Sequence, residues 1–160
     1  MFGFGKKKGL VINAPVAGAV KPVSGLQDES FSKDVLGPGI AIEPMAGRIV
    51  APTDGEIRLM FETGHALSMA ADNGVELLIH VGIDTVKLKG KHFTKIKNTD
   101  DVVKAGDVLL EFDPDAIRTE GYDPVTVVVV LNPDEFSGIR FTQNDAVEEG
   151  DALIYVRPDR

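Results

Sequence analysis

The three histidines of this chain, His65, His80 and His92, are the side chains best suited to chemistry near neutral pH. The chain has no cysteine, which excludes thiol nucleophiles, disulfides and zinc–thiolate sites. An unperturbed imidazole has a pKa of about 6.5, so at neutral pH it can act as a nucleophile, a hydrogen-bond donor or a metal ligand. The first question is therefore whether two of the histidines meet in the folded chain.

His65 and His80 lie on either side of a predicted β-hairpin. Two runs that alternate in the manner of strands flank the turn residues 71–74 (ADNG). A loop of Asp72 and Asn73 would place the two histidines directly opposite each other, with Cβ atoms about 5 Å apart. A two-residue loop one position later would make them diagonal neighbours on one face, and only a loop of odd length would send them to opposite faces.

A pair of imidazoles fits two kinds of site. As metal ligands they are too few for a closed zinc site, and a carboxylate such as Asp84 would have to add a third ligand. In a phosphohistidine centre, one imidazole attacks a phosphoryl group and the other donates hydrogen bonds to its oxygens. That chemistry depends mainly on positioning and charge stabilisation. Two surface histidines that pair by chance are the third interpretation, and the spacing alone does not choose among the three.

The elements that must position these histidines are short apolar runs rich in valine and isoleucine. Proline, glycine, asparagine or aspartate separates them, which is typical of an all-β protein. The predicted strands are 39–43, 48–50, 56–61, 65–70, 75–81, 108–112, 125–131 and 152–156. We therefore predict an antiparallel β-sandwich or barrel with at most one or two short helical turns. One turn is expected over 113–120, with Asp113 as N-cap and Pro114 at the first helical position.

Two weak repeats favour an internally duplicated motif. The pattern Pro-x-x-Gly-x-(Val/Ile) begins at Pro15, Pro44 and Pro52, and residues 102–112 match residues 146–156 at valine, glycine, aspartate and leucine. Common β-turns would produce the same similarities, so the repeats are compatible with duplication without requiring it.

Composition limits the class of protein. The chain has 160 residues, of which 43% are hydrophobic and 26% charged, which is ordinary for one globular domain and excludes a disordered chain. Its net charge of −8 argues against binding nucleic acid through a broad basic face. No stretch approaches the about 20 apolar residues that a membrane helix needs. We expect a single cytoplasmic domain over 10–160 after a flexible tail over 1–9, in which residues 1–8 make at most weak contact with a membrane surface.

Residues 74–90 (GVELLIHVGIDTVKLKG) resemble the phosphorylation-site region of one bacterial protein family, the glucose-family enzyme IIA components of the phosphoenolpyruvate-dependent sugar phosphotransferase system. Residues 61–66 (FETGHA) resemble the segment that carries the second active-site histidine of that family. The likeness extends from about residue 14 to residue 156, through 37–42, 50–55 and 104–107.

The resemblance implies a phosphocarrier, a phosphotransferase component that carries phosphoryl groups stoichiometrically rather than turning over alone. It implies that His80 accepts the phosphoryl group on Nε2 from the histidine-containing phosphocarrier protein HPr and passes it to an enzyme IIB domain of a sugar permease. It implies that His65 stabilises the phosphoryl group or the transition state and that Thr63 orients the pair. It requires no cofactor, although His65 and His80 could hold zinc together with a carboxylate of a partner.

The resemblance also implies a docking surface around the histidines. Asp28 and Asp84 match acidic residues that flank the active centre of the family. Because carboxylates repel an incoming phosphate, we expect them to bind arginines of docking proteins. The apolar residues expected to ring the histidines are Phe31, Leu36, Phe61, Leu78 and Val86. An apolar ring with a charged rim suits a transient protein–protein interface.

Four residues depart from the family pattern. Glu29 and Ser30 stand where relatives often carry apolar residues, and we expect them to change docking affinity or the choice of partner. His92 stands where relatives often carry a small residue, and we expect it to be exposed. Gly64 replaces a more usual polar residue, and we expect it to loosen the strand that carries His65. None of these changes removes the histidine pair.

Two other classes of protein are weaker alternatives. A zinc-dependent hydrolase related to lysostaphin-type peptidases is suggested by His80 and Asp84, which form a His-x-x-x-Asp motif, but the chain has no His-x-His motif to complete the site. A biotinyl or lipoyl module would need a lysine at the hairpin tip, where this chain has Asp72 and Asn73. The sequence does not predict which sugar permease is served. The first residues suggest a free-standing protein, and a domain of a fused permease is the other form open to it.

Overall fold

The computed structural model describes residues 10–158, so the tail predicted over 1–9 lies outside the described residues. The strands are β1 Leu10–Asn13, β2 Gly18–Pro22, β3 Gly39–Pro44, β4 Arg48–Val50, β5 Gly55–Met60, β6 Ala66–Ala71, β7 Glu76–Val81, β8 Phe93–Lys95, β9 Val102–Val103, β10 Val108–Phe112, β11 Thr126–Val130, β12 Gly138–Phe141, β13 Ala146–Val147 and β14 Ala152–Arg157. The helices are α1 Glu29–Ser32 and α2 Pro114–Thr119, and 3₁₀ turns span Val23–Gly25, Thr85–Leu88 and Pro133–Glu135.

The strands form three antiparallel sheets. An eight-stranded sheet has the order β13-β2-β3-β11-β7-β6-β5-β9, and two three-stranded sheets have the orders β1-β14-β12 and β4-β10-β8. The main core takes fully buried side chains from all three, among them Ile12 of β1, Ile49 of β4 and Leu77 of β7. The predicted fold class, antiparallel all-β with two short helices, is confirmed.

Strong apolar runs were located correctly, whereas weak ones were missed. All eight predicted strands are present, and the run of valines at 127–130 lies in the centre of the large sheet with every residue buried. Helix α2 is also confirmed, since the Asp113 side chain accepts a hydrogen bond of 3.0 Å from the backbone N–H of Ala116. The six strands that were not predicted are at most five residues long, too short for a periodic signal: β1, β2, β8, β9, β12 and β13.

The strand order shows that the fold is internally duplicated. The strand order of the eight-stranded sheet is symmetric about its centre. From the two edges inwards, the equivalent strands are β13 and β9, β2 and β5, β3 and β6, and β11 and β7. Backbone hydrogen bonds repeat as well: Ala14 exchanges two with the turn at 150–151, and Ala51 exchanges two with the turn at 106–107. In both turns an aspartate carboxylate accepts a bond from the backbone N–H three residues earlier, at 2.8 and 2.9 Å. The sequence repeats therefore reflect a duplicated unit.

The duplication places the histidines in one half only. The strand registers place the pseudo-twofold axis between Ile79 of β7 and its partner Val128 of β11. With this axis, His80 is equivalent to Val129, and His65 is equivalent to Pro38. The hydrogen bond from the Val81 N–H to the His65 carbonyl, 2.7 Å, has its counterpart at Pro38, whose carbonyl accepts at 2.9 Å. The second half thus repeats the backbone of the site without its imidazoles.

Candidate functional site

The hairpin of β6 and β7 differs from both predicted registers. Its loop has three residues, 72–74, and Ala66 pairs with His80. The backbone N–H of Gly74 donates to the Ala71 carbonyl at 2.9 Å, and Gly74 has a φ of +95°. A tight turn followed by a glycine in the left-handed region is the usual form of a three-residue hairpin loop. Both two-residue loops were therefore wrong, because Asp72, Asn73 and Gly74 all lie in the loop and Ala71 pairs with Val75.

The histidines nevertheless meet, because His65 is not part of the strand. Strict alternation across an odd loop would send the two side chains to opposite faces. Strand β6 begins only at Ala66, and the preceding chain makes a tight turn in which the Gly64 N–H donates to the Phe61 carbonyl at 2.8 Å. Gly64 has a φ of +74°, so it does not loosen a strand but lets the turn place His65. The imidazole centroids of His65 and His80 lie 4.9 Å apart, with ring planes at 82°.

His65 is enclosed by aromatic rings. Its side chain is 3% exposed, and its ring meets Phe61 edge-on at 5.4 Å and Phe93 at 6.3 Å between centroids. The hydroxyl of Thr63 is hydrogen-bonded to its Nδ1. Burial, and to a smaller degree the nearby His80, lowers the pKa of His65 to about 4. The ring is therefore neutral at physiological pH and can hydrogen-bond through Nε2.

His80 is half-buried, and its ring lies 5.1 Å from that of Phe31, between centroids. Burial lowers the pKa of His80, whereas the backbone of Gly82 and the carboxylates of Asp28 and Asp84 raise it. Nδ1 is buried and has no hydrogen bond of good geometry within residues 10–158, although the Gly82 backbone is near enough to favour the protonated ring. Nε2 is therefore the nitrogen through which this ring can react.

The apolar residues predicted to ring the histidines fall into two groups. Phe31, which is 4% exposed, and Leu78 belong to a second small core on the histidine face of the large sheet. Leu36 and Val86, by contrast, are 42% and 52% exposed. Phe61 is half-buried against His65. The rings of Phe31 and Phe61 thus contact the histidines, whereas Leu36 and Val86 leave apolar surface exposed to solvent.

The two predicted acidic residues begin helical turns. The Asp28 carboxylate caps α1 by accepting a hydrogen bond of 2.9 Å from the Ser30 N–H, which fixes the helix that carries Phe31. Asp84 has a φ of +60°, precedes the turn Thr85–Leu88 and keeps its carboxylate largely exposed. Both carboxylates are close enough to raise the pKa of His80, so both belong to the site.

The sequence analysis did not predict the role of Phe93, and its prediction for His92 was wrong. The contact of Phe93 with His65 was not predicted, because Phe93 lies in a three-residue strand with no periodicity. The expectation that His92 is exposed was wrong: its side chain is 20% exposed, and its Nε2 lies 2.6 Å from a carboxylate oxygen of Glu120. A φ of +75° at His92 is a backbone feature that the residue type does not indicate.

Metal ligands are few in this region. Within residues 10–158, no three histidine, cysteine, aspartate or glutamate side chains come together in a way that could hold a metal ion. The two imidazoles fall short of the four ligands of a closed zinc site. In the same part of the chain, no helix has the length and apolar character to cross a bilayer.

The buried neutral state of His65 should make the protein sensitive to acid. Its folded pKa of about 4 lies below the ordinary 6.5, so between these values the unfolded chain binds more protons. The free energy of unfolding should therefore fall as the pH drops from 6.5 towards 4, with this residue contributing about 2 kcal/mol. Urea unfolding at pH 7 and pH 4.5 measures this loss. His65→Gln should lose less stability between these pH values, and an equal loss would contradict the assignment.

Comparisons with known proteins agree with this geometry. Residues 10–136 match the family model described as "phosphoenolpyruvate-dependent sugar phosphotransferase system, EIIA 1". The chain is 40% identical over 155 residues to a PTS system glucose-specific EIIA component of Bacillus cereus, covering 96% of this chain and 94% of that protein. A solved structure of glucose permease IIA from Mycoplasma capricolum matches with a TM-score of 0.85 and 29% identity, covering 97% of this chain and 99% of the other.

Longer relatives match as well. The PTS system beta-glucoside-specific EIIBCA component of Dickeya chrysanthemi is 46% identical over 126 residues, which is 79% of this chain. The component of the same name from Bacillus subtilis is 41% identical over 144 residues, which is 90% of this chain. The chain spans only 20% and 24% of the lengths of these two proteins. None of these matches supports a zinc-dependent hydrolase.

Proposed function

Because this chain belongs to the EIIA 1 family of the phosphoenolpyruvate-dependent sugar phosphotransferase system, we propose that it is a phosphocarrier whose acceptor is Nε2 of His80. In this proposal, HPr supplies the phosphoryl group and an EIIB domain of a sugar permease receives it. The observation that carries the proposal is the contact between the imidazoles of His65 and His80, in which Nδ1 of His80 is buried and Nε2 is left to react.

The transfer exchanges one phosphorus–nitrogen bond for another. The Nε2 lone pair of His80 bonds to phosphorus while the bond from phosphorus to the donor histidine breaks, and that electron pair returns to the donor ring. His80 must therefore be unprotonated at Nε2, with its proton on Nδ1. The lowering of the His80 pKa by burial favours this neutral nucleophile, and the Gly82 backbone favours a proton on the ring.

His65 stabilises the charge of the transferring group. We assign the Thr63 hydroxyl as the donor to Nδ1 of His65, which leaves the proton of the neutral ring on Nε2. That N–H can donate to a phosphoryl oxygen of a group bound to the neighbouring imidazole. Because its pKa is low, His65 stays neutral and acts as a hydrogen-bond donor. It therefore stabilises the phosphoryl group on His80 without forming a strong ion pair, which would slow the transfer of that group to the acceptor.

Donor and acceptor share one docking surface. Leu36 and Val86 offer exposed apolar contact, and the carboxylates of Asp28 and Asp84 offer partners for arginines. The named relatives include glucose-specific and β-glucoside-specific components, so the acceptors to test first are EIIB domains of these two kinds. The function places the chain in the cytoplasm with its donor. It requires no metal, and a zinc ion at the histidine pair would need a ligand from a partner.

Phosphorylation by the purified donor system tests this function. Incubation with phosphoenolpyruvate, its kinase and HPr should add one phosphate to each chain, and the label should be lost in acid and retained in base. Mass spectrometry counts the phosphates, and phosphorus NMR distinguishes the Nε2 from the Nδ1 phosphoimidazole. Absence of label, an acid-stable phosphate or an Nδ1 product would contradict the proposal.

A further inference from the structure

A cluster of lysines lies beside the histidine pair, although the chain has a net charge of −8. We call residues 87–95 the lysine loop. Its four lysines are Lys87, Lys89, Lys91 and Lys95, and it contains no acidic residue. All four side chains are exposed. A positive segment of this density on an acidic protein needs an explanation.

The lysine loop touches the turn that places His65. A Cβ built on Gly90 would lie 3.6 Å from the carbonyl oxygen of Thr63, and Cγ of Lys95 lies 3.0 Å from the position of a Cβ on Gly64. At its other end, the turn Thr85–Leu88 carries both the exposed Val86 and Lys87. The loop therefore continues the exposed apolar border of the site on the side of His65.

The lysines are incompletely paired among residues 10–158. Lys91 has a carboxylate oxygen of Glu120 at 2.9 Å, and Lys87 is 3.9 Å from one of Asp84. For Lys89 and Lys95, no carboxylate of residues 10–158 lies within 4.0 Å. The carboxylates of Asp28 and Asp84, in contrast, act on His80. The site is thus bordered by negative charge beside His80 and by positive charge beside His65.

Protection of a sheet edge explains only part of this pattern. Strand β8 lies at the edge of its three-stranded sheet, and lysines on edge strands prevent association with other chains. Lys95 is the last residue of β8, but Lys87, Lys89 and Lys91 precede the strand. Edge protection therefore does not account for those three lysines.

We propose that the lysine loop is an electrostatic docking surface for a protein partner in phosphoryl transfer that carries carboxylates beside its own phosphorylation site. This inference rests on the proposed function. A partner that covers the histidines and Val86 must also lie over the loop, because the two surfaces are continuous. A border that is negative on one side and positive on the other matches a partner in one orientation, which aligns the reacting atoms and speeds encounter.

Charge reversal tests this surface. Lys89→Glu/Lys95→Glu should slow phosphoryl exchange with HPr or an EIIB domain about 10-fold at low ionic strength, and the difference should shrink to about 2-fold or less near 0.5 M salt. Quenched-flow measurement of the second-order rate constants for both partners gives these values. Lys104→Glu/Arg157→Glu is the matched control, since it makes the same charge change on β14 and the turn before β10, and it should change neither rate beyond about 2-fold.

The outcomes separate this inference from the proposed function. Lys89→Gln/Lys95→Gln should give an intermediate rate, and it keeps the test valid if reversal disturbs folding. Rates unchanged with both partners, or slowed equally by the control, would overturn the docking surface while labelling of His80 stands. Failure of the unaltered protein to be labelled at all would overturn the proposed function itself.

Discussion

His80→Ala is expected to abolish phosphorylation by HPr. The variant lacks the nitrogen that forms the bond to phosphorus, and the rate of labelling should fall by about 10³-fold or more. His65 should not replace it, because its side chain is only 3% exposed and its Nδ1 is engaged by Thr63. Radiolabelling from phosphoenolpyruvate through the kinase and HPr measures the loss directly.

His92→Ala is the matched control for this loss. It removes the third histidine, whose ring is hydrogen-bonded to Glu120 and forms no hydrogen bond or ring pair with His65 or His80 among the described residues. We expect it to be labelled to the same final extent as the unaltered protein, because the phosphoryl acceptor proposed here is intact. Circular dichroism and thermal unfolding would show that both variants keep the fold. A His80→Ala protein that still accepts phosphate on His65 would reverse the roles assigned here.

The hairpin shows how far the sequence determines the site. Residues 71–74 are suited to a turn at several loop lengths, and a change of one residue reverses which face each later side chain takes. The sequence predicted the hairpin but not its length. The meeting of the imidazoles depends instead on the turn at Gly64, where the chain leaves the alternation of β6 before His65.

Elements that depend on tertiary contacts were the least predictable. The four buried valines of β11, at 127–130, identify a central strand from the sequence alone, since all four are apolar and β-branched. Strand β8 has three residues, and only its pairing with β10 makes it a strand. Helix α1 has four residues, fewer than a periodic pattern needs, although Asp28 is a typical N-cap. The contacts of Phe31 and Phe93 with the histidines follow from these two elements.

Duplication explains why the framework of the site could be predicted better than its details. The two halves share turns, registers and the pattern of backbone hydrogen bonds, all of which leave traces in the sequence repeats. The imidazoles occur in one half, opposite Val129 and Pro38 in the other. The fold therefore repeats the same backbone in both halves, and the imidazoles that the proposed function requires occur in only one of them among the described residues.

His65→Ala is expected to separate acceptance from onward transfer. The nucleophile of His80 remains, so HPr should still label the variant. The neutral N–H that we place beside the phosphoryl oxygens is lost, and removal of one such donor typically costs about 10²-fold or more in rate. Transfer from the labelled variant to an EIIB domain should therefore slow by about that factor. Quenched-flow measurement of the two half-reactions distinguishes the steps.

The matched variant for this test is His65→Gln, which keeps an amide N–H near the position of the imidazole. It should recover part of the transfer rate, because a neutral donor is restored, whereas alanine offers none. A purely structural role for His65 predicts instead that both variants lose rate in proportion to their loss of stability. If His65→Ala passes its phosphate to EIIB as fast as the unaltered protein, the stabilising role of this ring is wrong. If the variant cannot be labelled at all, acceptance requires both imidazoles, and the division of roles proposed here has to be abandoned.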